Sequence, residues 1–157
     1  MKNRMSVSFS QIIWRVCNLC MSVFFSLATY VQAGYAVPAG LCFLLCCQPQ
    51  ITESLFWRRI ADLHVLVAST FGVILGWKLY KEGITDIFQQ EEGRECSGLM
   101  LTVFWLLLCR HSGRGSVGSV RICTAVGITV FPFITWIYYY MNTELRKHWP
   151  EHCTTAL

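Results

Sequence analysis

Charge is what this chain has least of: Asp, Glu, Lys and Arg make up 14% of its 157 residues, against roughly 25% in a soluble domain. That shortage excludes a surface built mainly for water. It also excludes a basic footprint for nucleic acid, because the formal charge of +4 is spread over every hydrophilic segment instead of being gathered into a stripe. No N-x-S/T sequon occurs, and nine cysteines form an odd set without regular spacing. Nothing therefore points to a disulfide-stapled ectodomain.

What is present is apolar and comes in blocks. Mean hydropathy is +0.45, and the apolar residues fall into 14–32, 33–47, 60–80, 97–109 and 122–140, followed by a polar tail over 141–157. Long apolar blocks separated by short charged segments predict a single membrane domain: an all-α, polytopic transmembrane bundle of four to five helices. A spanning helix needs about 20 residues to cross a core of about 30 Å. The first, third and fifth blocks satisfy this. Residues 97–109 reach it if 91–96 join the helix and Arg110 snorkels toward headgroups. Residues 33–47 are shorter, carry Gly34, Pro38 and Gly40 in their first half, and follow the first block with no charge between. Whether they cross decides between five spans and four. Lys2 and Arg4 with Gly34-Tyr35-Ala36 also outline a signal peptide, but Arg15 and Asn18 inside its apolar region oppose that reading.

Lysine and arginine set the orientation. With five spans, Lys2, Arg4, Arg15, Arg58, Arg59, Arg110, Arg114 and Arg121 share the side of the N-terminus, and Lys78, Lys81, Arg94, Arg146 and Lys147 lie opposite. Merging the first two blocks also leaves 8 against 5. Both counts place the N-terminus in the cytoplasm and leave the side of the C-terminus open.

Polar residues inside the blocks are the candidates for chemistry. Gln11, Arg15, Asn18, Ser22, Ser26 and Thr29 recur every three or four residues and line one helix face. Such a stripe is either a polar path or hydrogen-bonding glue between helices. In the third block His64, Ala68, Gly72 and Gly76 recur every four residues, and Gly72 to Gly76 spells G-x-x-x-G. Small residues on one ridge admit a neighbouring helix backbone, which turns His64 toward another helix. His64 is then a proton carrier or ligand site, or a neutral imidazole bonded to a neighbour. Asp62 lies one turn from Arg58 and Arg59 and predicts a local ion pair.

Glu91, Glu92, Arg94 and Glu95 open the fourth block. Paired carboxylates there suit a divalent cation or acid–base work, and equally suit the positive end of a helix dipole. Pro132 removes a backbone donor to Ile128 and predicts a kink, and Trp136, Tyr138, Tyr139 and Tyr140 mark the membrane interface. His148, His152 and Cys153 in the tail are a weak zinc motif. Cys17, Cys20, Cys42, Cys46, Cys47, Cys109 and Cys123 sit in or beside apolar blocks as small hydrophobes, and the C-x-x-C of Cys17 and Cys20 lacks the second pair a zinc site needs.

These motifs resemble the transmembrane protein 220 family of small multi-pass membrane proteins over nearly the whole chain. The resemblance rests on Trp14-Arg15-Val16-Cys17-Asn18, the stretch from Glu91 through Leu99, Phe131-Pro132-Phe133-Ile134-Thr135-Trp136, and Trp149-Pro150-Glu151-His152-Cys153. It implies an architecture and no particular reaction. It also implies an acidic loop and a tryptophan between the positions of Gln32 and Tyr35, where this chain has only Ala33 and Gly34. The chain is thus expected to be a deletion or splice form with a shortened first hairpin.

Taken together, the residues predict a non-catalytic membrane protein that acts through packing with lipids, a protein partner or a second copy of itself, without cofactor or bound metal. Its packing residues are Ala68, Gly72 and Gly76. One alternative is a transporter or channel subunit with a path lined by Asn18, Ser22, Ser26 and His64. Another is a membrane enzyme using Glu91, Glu95 and His64. Endoplasmic reticulum and plasma membrane fit the sequence equally.

Overall fold

The computed structural model describes residues 2–83, 91–110 and 119–142, and the tail motif of His148, His152 and Cys153 lies outside them. Five α-helices account for nearly all of the described chain: α1 (Lys2–Val31), α2 (Ala36–Cys47), α3 (Leu55–Lys81), α4 (Glu91–Arg110) and α5 (Ser119–Met141). Short 3-10 turns over Ala33–Tyr35 and Pro49–Glu53 join the first three. No strand occurs among the described residues. The protein is an all-α helical membrane protein.

Helix length follows composition, with extensions at the starts of α1 and α4. Stretches Phe9–Tyr30, Leu55–Lys81 and Ser119–Tyr138 are long and apolar enough to cross a bilayer. Helix α1 starts well before its apolar block, because residues 2–13 hold no glycine or proline to stop it. Helix α4 reaches 20 residues by taking in the acidic segment ahead of Ser97. Helix α2 has only 12 residues, a length of about 18 Å. Helix α3 is started by Ser54, whose Oγ accepts from the Trp57 backbone N–H at 3.2 Å, a side-chain cap on an otherwise orphan donor. Helix α5 continues through Pro132.

Side-chain contacts fix the helix directions. The Ser22 hydroxyl donates to the Ala39 carbonyl at 3.0 Å and Arg15 to the Cys47 carbonyl at 3.4 Å, so α1 and α2 are antiparallel. Helices α3 and α4 are antiparallel too, tied by Asp62–Arg110 at one end and Lys78–Glu92 at the other, both at 2.9 Å. Helix α5 runs parallel to α1, with Arg121 over the Trp14 ring at 5.4 Å and Phe133 edge-on to Phe24 at 5.9 Å. Direction therefore alternates along the chain. Arg15, Cys47, Asp62, Arg110 and Arg121 gather at one end of the bundle, the Arg15 end. Tyr35, Lys78 and Glu92 gather at the other, the Glu92 end.

The Asp62 contact corrects a sequence expectation. Arg58 and Arg59 are one turn away on the same helix, yet Asp62 pairs with Arg110, because antiparallel packing brings the end of α4 level with it. Arg110 is held by this carboxylate as well as lying at the membrane edge.

The interior is aromatic and thiol-rich. Trp14 and Trp105 stack with centroids 6.1 Å apart, and Met21, Phe25, Cys42, Leu45, Trp57, Leu106 and Cys109 are among the residues buried with them. The exterior is apolar as well. Phe9, Ile12, Val16, Leu19, Val23 and Leu27 form an exposed stripe on α1 at helical spacing, the surface of a helix whose outer solvent is hydrocarbon.

Candidate functional site

The polar stripe of α1 is divided among three partners. Arg15 and Ser22 reach backbone carbonyls of α2. Asn18 is fully buried; its amide donates to the Trp14 carbonyl at 2.9 Å, and its Oδ1 accepts from the Cys109 thiol at 3.6 Å. Ser26 and Thr29 bond back to the carbonyls of Ser22 and Phe25 on their own helix, a pattern that satisfies hydroxyls in an apolar medium. Each of these hydrogen-bonded groups already serves packing or its own backbone.

Around Asn18 lies a junction that the sequence did not single out. Trp105, Cys109 and Cys42 are fully buried there, and Arg121 donates to the Leu108 carbonyl while covering Trp14. Trp105 Nε1 and Thr129 Oγ1 are buried with no hydrogen-bond partner, and each lies beside a thiol, Cys42 and Cys17 respectively. Four helices thus meet around one amide and several soft sulfur atoms. The only prior signal was an arginine and an asparagine inside an apolar block.

The ridge of α3 faces α4 and then an opening. Ala68 and Gly72 are buried; the Gly72 carbonyl accepts from the Cys96 thiol at 3.6 Å, and a Cβ on Gly72 would rest against Met100 Sδ at 3.8 Å. One turn on, a Cβ at Gly76 would meet nothing within 4 Å. Gly76 instead lines a laterally open cavity of about 690 Å³ between α3, α4 and α5, together with Leu79, Met100, Phe104, Gly127 and Phe131. Of its polar lining side chains, Ser97 donates to the Gly93 carbonyl at 2.8 Å and Cys96 to that of Gly72; Tyr80 lines it as well and is exposed.

His64 is half-buried on α3, 14 residues from Lys78, which is about 21 Å along the helix. Glu92 sits at Lys78, and Glu91, Arg94 and Glu95 share its end of α4. The structure therefore places His64 and the carboxylates at different levels and does not bring them together. The stripe of α1 and the ridge of α3 likewise do not pack mainly on each other: α1 packs chiefly on α2 and α5, with Asn18 reaching Cys109 of α4, while α3 packs chiefly on α4.

At the Glu92 end a second feature went unread in the sequence. Tyr35, in the turn between α1 and α2, is buried and stacks on Phe25 at 6.1 Å with ring planes 8° apart. Its hydroxyl abuts Gly98, where a Cβ would collide with that oxygen. Burial pushes the Tyr35 phenol up to about 12, and the neighbouring Glu95 carboxylate adds to the rise. In the first turn of α4, ahead of its apolar stretch, Lys78 holds the Glu92 carboxyl below the usual carboxylate range. The turn of Ala33 and Gly34, expected to be shortened in this chain, therefore adjoins the acidic start of α4.

Relatives place this architecture. The family model described as "Transmembrane family 220, helix" matches residues 24–111, from the second half of α1 to the end of α4. The protein is also similar to Transmembrane protein 220 of Xenopus laevis, at 40% identity over 157 residues, covering 94% of this chain and 85% of that one. No solved structure gives a significant match. Three membrane-length apolar helices, the family match and identity along almost the whole chain make this protein a member of transmembrane family 220.

Proposed function

We propose that the protein is a non-catalytic membrane component that works by packing against lipid, with a lipid acyl chain lodged in the cavity between α3, α4 and α5. The supporting observation is the cavity itself, apolar, open sideways and left roomy by Gly76 and Gly127, where an added Cβ would meet nothing within 4 Å. Its volume of about 690 Å³ suits a small ligand. A helix about 10 Å wide fills roughly 400 Å³ per turn, so the space holds less than two turns of a partner helix. An acyl chain fits both the size and the polarity. Because the Ser97 hydroxyl and Cys96 thiol on the wall are already bonded within the bundle, a polar occupant gains little from them.

The test is filling the cavity. In cells fed a photoactivatable, clickable fatty acid, crosslinks on α3, α4 and α5 peptides around Met100 and Phe104 should fall several-fold in Gly76→Leu and Gly127→Leu, while thermal stability in detergent changes little. Gly72→Leu, against Met100, should instead cost about 1–3 kcal/mol of stability. Unchanged crosslinking at these peptides in both filled variants would overturn the reading.

A further inference from the structure

The cysteines of this bundle are not equivalent. Cys17, Cys42 and Cys109 are buried, Cys20, Cys46 and Cys96 are half-buried, and Cys47 and Cys123 are exposed. Cys46 and Cys47 are also the last two residues of α2, where the chain leaves the helix at Gln48 and turns through Pro49–Glu53. The vicinal thiols therefore stand at the rim of the bundle.

The level of that rim is set by charge. Arg15 reaches the Cys47 carbonyl, Arg58 and Arg59 open α3 immediately after the turn, and the Asp62–Arg110 pair lies at the same end. Cationic side chains collected at one depth mark a membrane–water boundary. The lysine and arginine distribution makes this the cytoplasmic face in the alternating five-helix arrangement, the side on which long-chain acyl-CoA thioesters are found.

The surface leading away from Cys47 is also suited to a hydrocarbon chain. Ala36, Gly40, Phe43 and Cys47 follow at steps of four, three and four, and all four are exposed, so they form one lipid-facing stripe. A Cβ on Gly40 would meet nothing within 4 Å, leaving that part of the stripe shallow. Helix α2 is about 18 Å long, close to the roughly 15 Å of one leaflet of a ~30 Å core. A chain attached at Cys47 would run back along α2 for the depth of its leaflet.

From exposure, depth and the stripe together we infer that Cys47, with Cys46 beside it, is a site of reversible S-acylation by a long-chain fatty acyl group. Juxtamembrane cysteines are the acceptors of this modification. The thiol gives up its proton, its sulfur attacks the acyl-CoA thioester carbonyl, and the C–S bond to coenzyme A breaks. Coenzyme A leaves as the free thiol with that proton. No oxidant or reductant is consumed, and hydrolysis of the new thioester restores Cys47. The added chain would anchor the end of a helix too short to cross the bilayer alone, since each buried methylene contributes about 0.8 kcal/mol. This is independent of the cavity between α3, α4 and α5, which lies on other helices.

The experiment uses the full chain expressed in cells fed an alkynyl analogue of palmitate. Label on the purified protein should be released by neutral hydroxylamine, as a thioester is. It should drop to about half or less in Cys47→Ser and to background in the Cys46→Ser, Cys47→Ser double variant. Cys123→Ser, which removes the other exposed thiol among the described residues, should retain it, as should Cys153→Ser. Unaltered detergent elution of the double variant checks that it folds. Absence of hydroxylamine-sensitive label on the wild-type chain, or label persisting in the double variant, would overturn the assignment. Loss of label in Cys123→Ser with retention in the double variant would overturn it equally.

Discussion

Tyr35 and Gly98 show how one atom decides the sign of a substitution. In an exposed helix, glycine to alanine gains about 1 kcal/mol of propensity. At Gly98 the new methyl would strike the Tyr35 hydroxyl, and overpacking of this kind costs about 1–3 kcal/mol. Gly98→Ala should therefore lower the melting temperature in detergent. Tyr35→Phe removes the obstructing oxygen while keeping the stack on Phe25, so the double variant should recover most of the loss, a coupling of about 0.5–3 kcal/mol in a mutant cycle. Simple additivity of the two changes would show that the turn does not close on α4. Neither residue carried a signal before folding: Gly98 reads as an ordinary helix glycine, and Tyr35 as part of a breaker-rich segment. Asn18 was legible, because an amide inside an apolar block must find partners. That its acceptor would serve the Cys109 thiol, 91 residues away, was not.

Among the elements, the α3–α4 hairpin is held at both ends by ion pairs and in the middle by small residues. The four-residue spacing of Ala68 and Gly72 was enough to predict a close helix neighbour, and the G-x-x-x-G pattern then overran the contact, since Gly76 opens on the cavity. The pair at the Glu92 end sets a pH dependence. Lys78 lowers the folded pKa of Glu92, so its contribution is complete above the unfolded carboxylate value of about 4.3 and is lost as pH falls through the lower folded value. The pair is solvent-exposed, and its effect is small. Thermal melts between neutral pH and pH 3 should show the wild-type chain losing slightly more stability on acidification than Lys78→Met. Equal slopes would mean that the pair does not form in the folded protein.

For the whole molecule, alternation of five helices puts the start of α1 and the end of α5 at opposite ends, because Trp14–Arg121 and Phe24–Phe133 make those two helices parallel. Epitope tags on the two termini should accordingly be accessible on opposite sides of the membrane in protease-protection or selective-permeabilisation assays. Tags on the same side would show that α2 does not reverse the chain. By itself the sequence determined membrane residence, helical class and the three long helices, since low charge and apolar runs of about 20 residues leave the backbone no other way to satisfy its hydrogen bonds in hydrocarbon. Family membership was also legible, from motifs spread along the chain. Only the tertiary structure decided that Asp62 takes Arg110 instead of its own helix neighbours, that the stripe of α1 is spent on α2, Cys109 and its own backbone, and that the Lys78–Glu92 pair lies at a different level of α3 from His64, Lys78 being about 21 Å along the helix from it. Those outcomes depend on which helices lie side by side and at what register. Hydropathy reports the solvent around a helix and says nothing about its neighbours.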